Sequence, residues 1–172
     1  MTNLIRLYGI QFVLLLLAQI IVFNSLQFTT LNYTMVYPLL LLMMPFNIGP
    51  ITGMALGFGF GLIIDYFSNT FGLHASACIV IMYLRPSILK LISPKNGYDP
   101  ISIPSLRDMG PAWFLYYAGI MLFIHHLWFF LFEYFSLSNF FWIILKTIIS
   151  VFFSLIFMVI WQFVLLRPSK LQ

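Results

Sequence analysis

Long apolar runs separated by short polar or proline- and glycine-bearing stretches organise the whole chain. A membrane helix needs about 20 apolar residues, and the first such run covers residues 4–23. The polar stretch 24–32 follows. Residues 33–46 form a shorter apolar segment interrupted by Pro38 and Pro45. The turn signal Asn47-Ile48-Gly49-Pro50 precedes a third run at 51–67, and residues 68–72 read as a second turn. Further apolar runs occupy 73–92, 111–134 and 139–166. Between the fourth and fifth lies a polar loop, 93–110, carrying Pro94, Asn96, Gly97, Pro100 and Pro104. The pattern predicts an all-α integral membrane protein of six transmembrane helices. With no internal repeat and no compositional break, residues 1–172 read as a single transmembrane domain.

Composition sharpens this expectation. The chain is 62% hydrophobic and only 7% charged, against about 25% charged residues in a soluble domain. A net charge of +4 would suit a nucleic-acid binder, but the basic residues sit at segment ends, where membrane topology accounts for them. Six spans place Arg6, Arg85, Lys90, Lys95, Arg107, Arg167 and Lys170 on one side. Asp65 and Glu133 fall on the other, whose loops carry no lysine or arginine. The positive-inside rule then puts both termini and the 93–110 loop in the cytoplasm. A five-span alternative that fuses the second and third runs would export Arg167 and Lys170. The run after Arg6 lacks a small-residue cleavage site, so it reads as a retained helix and not a cleaved signal. The single cysteine, Cys78, sits in an apolar run and reads as a small buried hydrophobe.

Within the third run, Gly53, Gly57, Gly61 and Asp65 recur every four residues and therefore share one helix face. Three glycines bare that face for close approach of another backbone. The carboxylate at its end is costly near lipid without a partner. Lys146, inside the last run, is the candidate cation, and Glu133 competes for it. His126 lies two turns from Glu133 on the same face. Asp65, His126, Glu133 and Lys146 thus form a candidate intramembrane polar cluster. Ser150 and Ser154 extend the Lys146 stripe and can hydrogen-bond across to another helix, as can Gln11 and Gln19 from the first run. His125 and His126 point about 100° apart. No metal-ligand spacing accompanies them, and no nucleophile motif or His-Glu-x-x-His is present. The expectation is a non-enzyme with no catalytic residues, no metal and no cofactor.

The stretch Gly53-x-x-x-Gly57-Phe58-Gly59-x-Gly61-Leu62-x-x-Asp65, followed by Phe71-Gly72-Leu73-x-Ala75, resembles the rod shape-determining protein MreD family. The Pro38-Leu-Leu-Leu-Leu run and a histidine in the fifth helix, His125 or His126, are similar too. The match covers roughly Pro38 to Leu84, and the 93–110 loop is longer than the family pattern. The resemblance implies a fold like the six-helix substrate-binding subunits of energy-coupling-factor transporters. It implies a multi-pass protein of a bacterial inner membrane, working as a non-catalytic scaffold of the cell-elongation complex that supports side-wall peptidoglycan synthesis. Its implied partners are an MreC-like scaffold protein, the RodA glycosyltransferase with its penicillin-binding transpeptidase, and MreB filaments indirectly. A vitamin-binding subunit of a membrane transporter is the competing expectation. It requires the Asp65–His126–Glu133–Lys146 group to line an outward pocket, and it is weakened by the lack of a long alanine stripe.

Overall fold

A computed structural model describes residues 2–23, 32–99, 102–135 and 139–165. Among these residues the chain is helical, with no strand. Helix α1 (Thr2–Leu17) continues into a π-helical turn (Ala18–Phe23). A short α2 (Pro38–Leu42) follows, then α3 (Pro50–Ser68), α4 (Leu73–Leu91), a one-turn α5 (Leu106–Met109), α6 (Pro111–Tyr134) and α7 (Phe140–Leu165). Among the described residues three helices are long and apolar enough to cross a membrane: Pro50–Ser68, Pro111–Tyr134 and Phe140–Val164. Residues 24–31, 136–138 and 166–172 lie outside the described residues. The expected end of the last run at residue 166, and the terminal cations Arg167 and Lys170, fall there.

Proline and glycine set the helix boundaries. Pro38, Pro50 and Pro111 each open a helix, where the missing N–H would have had no partner. Asn69, in the left-handed region at φ 53°, ends α3 and donates its N–H to Asp65 O. Gly72 at φ 79° then precedes α4. Only two residues separate that left-handed asparagine from Gly72, so the chain reverses tightly and α3 lies against α4 along its length. Helix α6 packs on both α4 and α7.

The segment at 33–46, expected as a second membrane helix, is different. Residues 32–36 have no regular secondary structure, only Pro38–Leu42 is helical, and turns follow. The described residues therefore contain five long helices and not six. Two prolines in fourteen residues prevent a continuous helix. The segment nonetheless runs through the middle of the bundle. Tyr33 stacks on Phe129 at 5.7 Å, the Tyr117 hydroxyl reaches Leu42 O at 3.1 Å, and Phe46 meets Trp113 at 6.0 Å. From Phe129 to Trp113 is a path of about 24 Å along α6 at ~1.5 Å per residue. Met35, Val36, Leu39, Leu41 and Leu42 are wholly buried and form the centre of the apolar core.

The glycine ladder is the contact face of α3. Gly53, Gly57 and Gly61 are buried, and each faces α4. A Cβ at position 61 would lie 2.5 Å from Ala75 N and 2.8 Å from the His74 carbonyl carbon. One at position 57 would meet Cys78 O at 3.1 Å, and one at 53 would meet the Met82 terminal methyl at 2.6 Å. Gly59 has nothing within 4 Å. Alanine substitutions should therefore destabilise in the order Gly61, Gly57, Gly53, Gly59. Gly61→Ala has to displace backbone, at a cost of about 1–3 kcal/mol, whereas a methionine end can swing aside and Gly59→Ala should be neutral. Thermal unfolding of the four purified variants in one detergent tests the ranking, and a Gly59→Ala as damaging as Gly61→Ala would refute it.

Candidate functional site

Because an apolar interior offers no hydrogen bonds of its own, an irregular segment buried in it must be satisfied by side chains. Four helices do this for residues 32–46. From the π-turn, Gln19 Oε1 accepts the N–H groups of Val36 (2.7 Å) and Tyr37 (3.4 Å), while Gln19 Nε2 donates to Thr34 O at 3.2 Å. From α7, Ser150 Oγ accepts Tyr33 N–H at 3.0 Å and Ser154 Oγ accepts Met35 N–H at 2.9 Å. From α4, the Arg85 guanidinium donates to Met44 O and to Pro45 O, the latter at 3.3 Å. Its Nε donates to the Tyr117 hydroxyl of α6 at 2.9 Å. Arg85 is 1% exposed. These backbone carbonyls, together with the C-terminal dipole end of α2, stand where a carboxylate would otherwise be needed.

At the middle of the segment, the Tyr37 hydroxyl lies 2.7 Å from His125 Nε2 and 3.0 Å from His74 Nδ1, with Cys78 Sγ at 3.8 Å. A phenol can donate only one proton, so one histidine accepts from it and the other donates to it. The opposite ring nitrogens, His74 Nε2 and His125 Nδ1, are fully buried and find no partner among the described residues. No group of three or more histidine, cysteine or acidic side chains there is arranged to hold a metal ion, among the described residues.

Asp65 has a different partner from the one its position in the chain suggests. It is 4% exposed. One carboxylate oxygen accepts from the Thr70 hydroxyl (2.5 Å) and His74 N–H (3.0 Å), and the other accepts Ala75 N–H at 2.9 Å. Gly72, the residue before α4, has no side chain to cap that helix. Asp65 does so from the end of α3, satisfying amides of the first turn and meeting the positive end of the α4 dipole. The bared face at Gly61 is what lets the two backbones close enough for this contact.

The four residues grouped as an intramembrane polar cluster therefore separate. Asp65 caps α4. Lys146 pairs with Glu133 at 3.2 Å and sits over the rings of Phe130 and Tyr134, at 4.5 and 5.1 Å. His126 Nδ1 donates to Leu122 O at 2.9 Å, and its Nε2 accepts from Ser154 at 3.3 Å. The Asp65–Lys146 pairing considered from the sequence is not formed, because the nearer amides of α4 take both carboxylate oxygens. Ser150 and Ser154 do bond across the bundle: both accept backbone N–H groups of the 32–46 segment, and Ser154 also reaches another helix, α6, through His126.

The residues most used in the core, Tyr37, His74, Arg85 and Tyr117, were not singled out as candidate site residues. Arg85 was read as an end charge, although it lies thirteen residues into a nineteen-residue helix, and that depth was the available signal. The 93–110 loop folds back on the bundle. Tyr98 stacks on Phe46 at 4.2 Å and donates to Leu89 O at 2.7 Å, and burial raises its phenol pKa. Leu106 N–H donates to Gln162 of α7 at 2.7 Å.

No family model matches the chain, and neither a curated protein nor a solved structure matches it significantly.

Two outcomes follow from this geometry. Tyr37→Phe should cost about 1–3 kcal/mol, because it leaves two buried histidine nitrogens without their shared hydroxyl; an unfolding midpoint equal to the wild type would contradict that role. Double-mutant cycles on stability should show Asp65→Asn and Lys146→Met adding independently. Glu133→Gln with Lys146→Met should instead couple by about 0.2–1 kcal/mol, as a partly exposed pair does. Coupling in the first cycle and additivity in the second would reverse the assignment.

Proposed function

We propose that the chain is a non-catalytic membrane scaffold of a bacterial cell-elongation complex, in the manner of the rod shape-determining MreD family. It would bind an MreC-like protein and, with it, the RodA glycosyltransferase and its penicillin-binding transpeptidase, and so act indirectly on MreB filaments and side-wall peptidoglycan synthesis. The observation that carries the reading is the α3–α4 hairpin. The residues on which the resemblance rests, Gly53, Gly57, Gly61, Asp65, Gly72 and Ala75, make one physical unit, in which the ladder brings α4 close and Asp65 caps it. Their spacing has a single structural cause, unlike a chance glycine repeat.

In this reading the chain crosses the inner membrane six times, five times as a helix and once as the broken segment 32–46. Both termini are then cytoplasmic, as the lysine and arginine distribution favours. Gln19, Arg85, Ser150 and Ser154 hold the segment and Asp65 holds the hairpin, which suits a rigid platform for other membrane helices. The vitamin-binding alternative has less support. It needs Asp65, His126, Glu133 and Lys146 to converge on a cavity, and these residues face separate partners.

Affinity purification of the full chain from its own membranes, in mild detergent, should recover a membrane-anchored MreC-like protein, and depletion in a rod-shaped host should round the cells within a few generations. Unchanged cell shape after clean deletion from such a host would sink the scaffold reading. Recovery of an ATPase pair in place of the elongation proteins would favour transport.

A further inference from the structure

At the α3–α4 turn lies an open cavity of about 620 Å³ lined by Leu62, Asp65, Tyr66, Phe67, Thr70 and Phe71, with Asn69 and Gly72 at the turn itself. Its aromatic side chains are turned outward and not into the core: Phe71 is fully exposed, Tyr66 is 80% exposed and Phe67 is 53% exposed. The tyrosine and its neighbouring phenylalanine meet edge to face at 5.3 Å. Asp65, 4% exposed, also lines the cavity. The contacts of Asp65 among the described residues are neutral amides and a hydroxyl, while Lys146 is paired with Glu133.

We propose that this cavity binds the ammonium headgroup of a zwitterionic phospholipid, of the phosphatidylethanolamine kind. A carboxylate beside exposed aromatic faces is the chemistry that recognises an ammonium ion, through charge and cation–π attraction. Depth selects lipid as the source. The cavity sits at the end of α3, a nineteen-residue apolar helix of about 28 Å, close to the ~30 Å of a bilayer hydrocarbon core. Its mouth therefore opens where headgroups begin. An anionic headgroup without an amine would be repelled by Asp65.

Native mass spectrometry of the full chain, titrated separately with dioleoyl-phosphatidylethanolamine and dioleoyl-phosphatidylglycerol, tests the assignment. The ethanolamine lipid should bind more tightly. Tyr66→Ala and Phe71→Ala should each weaken it by about two- to fivefold, the worth of one exposed cation–π contact, without changing the glycerol lipid. Both residues are exposed, so these variants should fold. Asp65→Asn should abolish the preference if it folds, and the aromatic variants decide the matter if it does not. Phe141→Ala, an exposed aromatic outside the cavity (75%), should have no effect. Equal binding of the two lipids, or an equal loss with Phe141→Ala, would overturn the proposal. So would saturation of the cavity by a lysine-bearing peptide without any lipid preference.

Discussion

A backbone that is neither helix nor closed sheet cannot be left to lipid, and that constraint governs the interior of this protein. Each unpaired peptide group in hydrocarbon costs several kcal/mol. Residues 32–46 present a run of such groups. Their N–H donors end on Gln19, Ser150 and Ser154, and their carbonyls on Gln19, Arg85 and Tyr117. The polar side chains that an apolar chain carries at a cost are thus concentrated around the one segment that needs them. α1, α4, α6 and α7 are positioned by what they must supply to it as well as by apolar packing.

The hairpin of α3 and α4 solves a related problem at a helix end. The first amides of a helix lack partners, and Gly72 is chosen for its positive φ, which excludes a capping side chain at the same position. A carboxylate from the neighbouring helix fills that role only if the two backbones nearly touch. Glycine at 61, where any Cβ would strike the Ala75 backbone, is the condition for Asp65 at one turn further on. Packing and charge at this site are one device, which is why a stripe of small residues and an acid occur in register.

Much of this was legible in the chain, for definite reasons. The long helices follow from apolar runs bounded by proline and glycine, and the ladder face follows from a four-residue period. Ser150 and Ser154 stood out because they repeat at one turn. What escaped was contact at long range. Asp65 looked for a charge, and a lysine was the visible partner. Its true partners are backbone amides, which every residue has and no sequence advertises. The second apolar run, at 33–46, was read as a helix from hydropathy, although fourteen residues with two prolines are too few and too interrupted. Tyr37, His74 and Tyr117 lie in apolar runs where an aromatic or histidine is ordinarily packing. Only the threaded segment gives them a polar task.

Arg85 shows how the buried irregular segment changes the meaning of a charge. Counted along the chain, it is one more cation on the basic side. In the structure it is buried, fork-on to the carbonyls of Met44 and Pro45 just past α2, with its third direction fixed by Tyr117. A lysine could not satisfy that geometry, since an ammonium lacks the planar fork that spans two adjacent carbonyls while also reaching a phenol. Lys90 and Lys95, by contrast, are exposed. Polar locks therefore recur along the whole path of the segment: the serines near Tyr33, the histidines at Tyr37, and the arginine at Met44 and Pro45. Together they join the segment to α4, α6 and α7, so loss of any of these helices would strand buried donors or acceptors on the segment. Cooperativity in this bundle comes from that shared central segment as much as from the apolar faces around it.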